Sequence, residues 1–172
     1  MGFAVVAGDD SFTRPADTTA YSIGDLVANS TTAGSVVPLA VDIVDADGGA
    51  FLIRRARLLK STASITNAKF RLHFFGADPS ASTGVVNGDN AALRGGGLKT
   101  ARWLGAIDVD MTGDSGFAYS DGAAGVGVPA AGSELGEELP AGVTVYALIE
   151  ALAAYTPGNA EVFTLTIVAV QV

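Results

Sequence analysis

His73 is the only histidine in the chain, and there is no cysteine. Any Ser-His-Asp relay would have to run through His73. A cysteine nucleophile and sites built on cysteine ligands, such as zinc fingers and iron–sulfur centres, are excluded outright. His73 lies in Lys69-Phe70-Arg71-Leu72-His73-Phe74, on the same side as Lys69 and Arg71. None of Ser61, Ser64 or Ser115 lies in the Gly-x-Ser-x-Gly turn that presents a nucleophile. The residue reads as a solvated or interface histidine.

Three other patterns approach chemistry and stop short. Gly95-Gly96-Gly97-Leu98-Lys99-Thr100 ends like a phosphate loop, but Leu98 stands where glycine must precede the lysine. A strand-like run follows it where a helix is needed. Asp108, Asp110 and Asp114, with Gly113 between, share part of a calcium-loop spacing. Tyr119 falls where the bidentate glutamate belongs, so a strand end with an Asp-Gly turn accounts better for them. Glu134, Glu137 and Glu138 share one linker, and Glu150 and Glu161 sit near strand ends. Nothing in their spacing sets two carboxylates across a cleft, as glycoside hydrolysis requires. The expectation is no catalytic residue, no cofactor, no metal and no enzyme activity.

Arg54, Arg55, Arg57, Lys60, Lys69 and Arg71 form the densest basic cluster. Single-strand nucleic-acid binders interleave such cations with stacking aromatics. Here Phe70 and Phe74 alternate with Lys69 and Arg71, so they point to the opposite face and read as core. The net charge of −8 also weakens any attraction to phosphate. Nucleic acid is not an expected partner. Residues 1–53 carry a net −6, residues 54–102 a net +7 and residues 103–172 a net −9. These blocks can neutralise one another inside one subunit or between subunits.

Such residues need elements to hold them. Of 172 residues, 49% are apolar and only 16% charged, with 22 glycines. That suits one domain with a sizeable core and argues against global disorder. No apolar run approaches a membrane span, and no membrane partner is expected. The opening Met1–Asp10 stretch lacks the basic leader of a secretory signal. It reads as a chain made in the cytoplasm, compatible with a particle assembled there and released later.

Period-two alternation marks Lys69–Phe74 as a half-buried strand. Val36–Val44, Phe51–Lys60, Val143–Ile149 and Glu161–Val172 are further strands, with Arg102–Val109 and Gly116–Tyr119 as shorter ones. Residues 143–155 also suit a helix, but their β-branched first half and the Pro157-Gly158 turn favour strand. Ser61–Asn67 reads as a hairpin turn between two strands. Asp78–Thr100 and Ser120–Gly142 are long linkers. Residues 9–35 are polar and carry Pro15, and read as an extended arm or irregular edge segment rather than core. The expected architecture is an all-β, antiparallel β-sandwich, jelly-roll-like, over residues 36–172, with residues 1–35 as an extended N-terminal arm and edge segment.

Several stretches resemble the small structural proteins of tailed-bacteriophage heads. They are Ser11–Tyr21, Gly24-Asp25-Leu26-Val27-Ala28-Asn29-Ser30, Ile53-Arg54-Arg55-Ala56-Arg57-Leu58 and Ala154-Tyr155-Thr156-Pro157. They look like capsid decoration, or cement, proteins. The resemblance implies an all-β body on the outer capsid surface of the virion, bound to the major capsid protein and clamping neighbouring subunits. It also implies a homo-oligomer, a trimer in preference to a dimer. A head-fibre, tail or baseplate component, or a carbohydrate-binding β-sandwich, is the alternative. An arm ordered on binding can add a strand to a partner's sheet, and Thr18-Thr19-Ala20-Tyr21 is the stretch expected to do so. Phe12, Arg14, Thr18, Thr19, Tyr21, Arg55 and Arg57 are the expected partner-binding residues. Removal of residues 1–30 is expected to leave a folded body that no longer binds capsids.

Overall fold

A computed structural model describes residues 4–43, 49–80, 87–93, 98, 101–139 and 144–171. Among these residues there are eleven strands. They are β1 (Ala4–Thr13), β2 (Leu26–Val27), β3 (Leu39–Asp42), β4 (Gly49–Lys60), β5 (Lys69–Phe75) and β6 (Trp103–Asp110). They continue with β7 (Gly116–Ala118), β8 (Ala123–Gly127), β9 (Leu135–Leu139), β10 (Thr144–Ala151) and β11 (Val162–Gln171). One sheet runs β1-β11-β4-β8-β7, with β9 also on β4; the other runs β2-β10-β5-β6, with β3 also on β10. Every pairing is antiparallel.

The order follows from folding one long hairpin and wrapping it. The first strand pairs with the last, β2 and β3 with β10, β4 with β8 and β9, and the central strands β5 and β6 with each other. Two antiparallel sheets packed face to face result, an all-β sandwich with the jelly-roll-like connectivity expected. The segment 143–155 supplies strand β10, not a helix. One local expectation fails. Ser61–Asn67 does not close a hairpin, because β4 and β5 lie in different sheets. β4 instead pairs with β11 from Phe51 to Lys60, and the eight-residue link, Ser61 to Ala68, carries the chain across the sandwich.

Alternation decides what lies between the sheets. Phe70, Leu72 and Phe74 of β5 are fully buried, as are Phe163, Leu165, Ile167 and Ala169 of β11. Each such large side chain contributes about 1.5–3 kcal/mol by leaving water. Phe163 stacks on Phe12 with centroids 5.8 Å apart and meets Phe70 edge-on at 5.5 Å. β8 reads Ala-Ala-Gly-Val-Gly and was missed as a strand because it lacks bulk. The lack is required. A Cβ at Gly127 would lie 2.3 Å from the Asp108 carbonyl oxygen and 2.5 Å from Ile107 Cγ2, both on β6. β8 thus closes one side of the sandwich against the opposite sheet.

β4 carries a second irregularity. Arg55 pairs with Val168 and Ile53 with Ala169, so Arg54 is an extra residue in a β-bulge. Two consecutive arginines in a regular strand would send one guanidinium into the core, where desolvation costs several kcal/mol. The bulge lets both Arg54 and Arg55 stay exposed while Ile53 and Ala56 stay buried.

The first segment is woven into this body. β1 pairs with β11 along all ten of its residues, at the sheet edge. Tyr21, Leu26, Val27 and Ala28, within the stretch read as polar and non-core, are buried. Leu26 and Val27 are held there by the two-residue strand β2 on β10, too short a run to show a period.

Candidate functional site

Three charged assemblies stand out, and they differ in what remains free. The first is buried. Arg14 Nη2 donates to Asp89 Oδ2 at 2.7 Å, and both side chains are fully inaccessible. The Tyr21 hydroxyl donates to Asp89 Oδ1 at 2.6 Å, as does the Ala28 amide at 2.7 Å. Arg14 Nε also donates to the Tyr21 hydroxyl. Burial would pull the Arg14 guanidinium down, but its hydrogen bond to Asp89 and the nearby charges outweigh it and hold it above its usual value. Burial and Asp89 push the Tyr21 hydroxyl far up, so it remains a donor.

The second assembly is its neighbour. Lys60 Nζ donates to the Thr62 carbonyl at 2.6 Å and sits 3.4 Å from Glu161. The Tyr155 hydroxyl lies 2.7 Å from both Glu161 oxygens, and the Thr62 hydroxyl also donates to Glu161. Burial lowers Lys60 from its ordinary value despite Glu161. Tyr21 and Tyr155 stack with parallel rings 6.4 Å apart, and the Tyr21 amide donates to the Tyr155 carbonyl. The two clusters therefore form one polar spine that fastens residues 14–28 to the body.

The third lies on the outer face of the five-stranded sheet. Arg71 holds Asp108 through two bonds, Nε at 2.6 Å and Nη2 at 2.9 Å, from directly opposite positions on β5 and β6. Lys69 and Asp110 are likewise opposite and 2.8 Å apart. Partial burial would raise Asp110, but Lys69 and Thr112 draw it down to about 2. His73 Nε2 lies 2.8 Å from Glu150 on β10. Trp103, 58% exposed, stands beside His73 with ring centroids 6.3 Å apart.

The acids in these last two assemblies, Asp108, Asp110, Glu150 and Glu161, all come from the negative 103–172 block. Part of the charge segregation is thus neutralised within one subunit. Among the described residues no three histidine or acidic side chains are grouped to hold a metal ion. Asp108 and Asp110 are turned to Arg71 and Lys69 instead.

Arg54, Arg55 and Arg57 behave otherwise. They lie mid-sheet on the outer face of the six-stranded sheet, exposed, and among the described residues no carboxylate forms an ion pair with them. Arg57 makes one weak contact, Nη2 to the Thr166 hydroxyl at 3.3 Å. It is flanked by Thr166 on β11 and Val126 on β8. Beyond β8, Phe117 is 63% exposed and meets Tyr119 edge-on at 4.9 Å. Arg57, Leu59, Tyr119 and Asp121 line a shallow groove of about 420 Å³ on this face.

The seven expected partner-binding residues are therefore divided. Arg55 and Arg57 share this open face. Thr18 and Thr19 are exposed between β1 and β2, with the Thr19 amide held by Asp17 at 2.9 Å. Phe12 packs on Phe163, and Arg14 and Tyr21 are inside the spine. Sequence reasoning took Trp103 as exposed but did not single out Phe117 and Tyr119 as surface aromatics. Phe117 and Tyr119 at i, i+2 in a short glycine-flanked strand were the available signal. Glu137 and Glu138 side chains and all of Gly95–Thr100 except Leu98 lie outside the described residues.

The fold and its faces define an antiparallel β-sandwich whose six-stranded sheet exposes Arg54, Arg55 and Arg57. No family model matches the chain, and no curated protein matches it by sequence.

Proposed function

We propose that this protein is a structural docking module, specifically a decoration protein of a tailed-phage head that binds the outer capsid surface and cements neighbouring major capsid subunits. The observation that carries the docking role is the contrast among its cations. Lys60, Lys69 and Arg71 each face a carboxylate of the same subunit, whereas Arg55 and Arg57 lie mid-sheet with none among the described residues. Arginine and large aromatics are the side chains that most often dominate a protein interface. Here Arg55, Arg57, Phe117 and Tyr119 share one face. Its complement is a partner surface with acidic groups. The capsid assignment rests on the sequence stretches that resemble decoration proteins, to which the sandwich is congenial.

Thr18 and Thr19 remain candidates for an edge contact. The trimer or dimer is a proposal of the same standing, with light scattering of the purified protein as its measure. Deletion of residues 1–30 is a poor test, because it removes β1 and both Arg14 and Tyr21 from the buried spine. The better experiment uses full-length protein with Arg55→Glu and Arg57→Glu together, added to expanded capsids that lack it. Co-sedimentation should weaken at least tenfold, and wild-type binding should fall as salt rises. Binding indifferent to both would refute the proposed face.

A further inference from the structure

The outer face of the five-stranded sheet carries chemistry that the docking role does not use. Trp103 is the only tryptophan in the chain, yet it is more than half exposed, held at the start of β6 where a bulge leaves Leu104 unpaired. On one side of it runs a groove of about 550 Å³ whose polar walls are Arg71, His73, Asp108 and Ser133. On the other side is a depression of about 250 Å³ formed with Phe75, Leu93 and Leu98. Both volumes are near the range of small-ligand sites.

The polar walls are rigid. Arg71 and Asp108 lock each other through two hydrogen bonds, and His73 is held by Glu150. These pairs do not exhaust their capacity. A guanidinium has five donors and a carboxylate about four acceptor sites, so each retains several. The groove therefore offers fixed, planar donors and acceptors next to an accessible indole. Indole faces carry negative quadrupole charge and attract polarised C–H groups. A ligand matching both features has one face of C–H bonds and an edge of hydroxyls. Asp108 and Glu150 offset Arg71 and His73, leaving no surplus positive charge for an anion.

We propose that this groove binds a neutral pyranose of an oligosaccharide, with the sugar ring stacked on Trp103 and its hydroxyls bonded to Arg71, Asp108 and Ser133. Ser133 also lines the pocket beside Arg54, whereas Trp103, Arg71 and Asp108 stand on the other sheet from Arg57. Trp103 being the sole tryptophan, its emission reports the site directly. Full-length protein is titrated with cellohexaose, maltohexaose and chitohexaose, and with hexagalacturonate as an anionic comparison. At least one neutral hexasaccharide should give a saturable emission change with a dissociation constant of about 1 mM or tighter. By calorimetry, Trp103→Ala should weaken that binding at least tenfold and Asp108→Asn about fivefold, while Arg57→Glu should leave it within twofold. Circular dichroism checks that each variant is folded. No saturable change with any neutral probe, a response to hexagalacturonate alone, or undiminished binding by folded Trp103→Ala would each overturn the proposal.

Discussion

Replacing Asp89 with alanine isolates the buried spine. Asp89 accepts three hydrogen bonds, from Arg14 at 2.7 Å, Tyr21 at 2.6 Å and the Ala28 amide at 2.7 Å. Its side chain and that of Arg14 are both fully inaccessible. Removing one partner of a buried ion pair costs about 3–5 kcal/mol, because the surviving charge is left without compensation. The Tyr21 and Ala28 donors would add about 1–3 kcal/mol each if wholly orphaned. The three bonds share one acceptor, so their losses are not additive. An Asp89→Ala loss of about 5 kcal/mol is the reasoned value, a large share of the roughly 5–15 kcal/mol typical of a domain. With a urea dependence of about 2.5 kcal/mol per molar, the midpoint should fall by about 2 M.

The double variant Arg14→Met, Asp89→Leu tests the cause. Apolar replacement of a buried pair is often neutral. The double variant should therefore recover more than half of the loss, falling short by the orphaned Tyr21 and Ala28 donors. Urea unfolding followed by far-ultraviolet circular dichroism measures both. An Asp89→Ala shift below about 0.4 M, or about 1 kcal/mol at that slope, would refute the spine as a fastening of residues 14–28. A double variant no better than the single would refute the charge as its source.

Gly127→Ala should destabilise by about 1–3 kcal/mol, seen as a lower unfolding midpoint, since its Cβ meets β6 backbone that cannot yield cheaply. Asp110, drawn down to about 2 from 3.8 by Lys69 and Thr112, should contribute stability above about pH 4 that is lost as pH falls toward 2. The pair is some 40% exposed, so Asp110→Asn should cost under about 1 kcal/mol at pH 6, a deficit that closes by pH 2 in parallel denaturation series.

What could be read from the sequence follows bulk and alternation. β5 and β11 alternate cleanly, so their strands and inward faces were evident from Phe70, Leu72, Phe74, Phe163 and Leu165. β1 was hidden because Asp9, Asp10, Ser11 and Thr13 are polar, as an edge strand with one solvated face permits. β8 was hidden because a close approach between sheets demands small residues, which carry no β signal. The Arg14–Asp89 pair joins residues 75 positions apart, and no local pattern predicts that. Consecutive arginines 54 and 55 were visible, but their meaning was not. Only the pairing with β11 shows that a bulge keeps both outside.

The charge blocks acquire a physical meaning from that bulge. In a regular strand, Arg55 and Arg57 would share a face and Arg54 would be driven inward, toward some carboxylate of the 103–172 block. The core already spends Glu161 on Lys60, and the opposite face spends Asp108, Asp110 and Glu150 on Arg71, Lys69 and His73. Turning Arg54 outward avoids a further buried charge and gathers three guanidinium groups on the six-stranded sheet. Like charges this close repel one another when nothing offsets them. That repulsion is relieved when an acidic surface docks, so the same local defect that protects the core favours binding on this face. Trp103 projects from the other sheet, beyond a core about 10 Å thick. Ser133 borders both the pocket beside Arg54 and the tryptophan groove, so a partner that reaches Arg54 approaches the groove's rim, while one centred on Arg57 lies on the opposite sheet from Trp103.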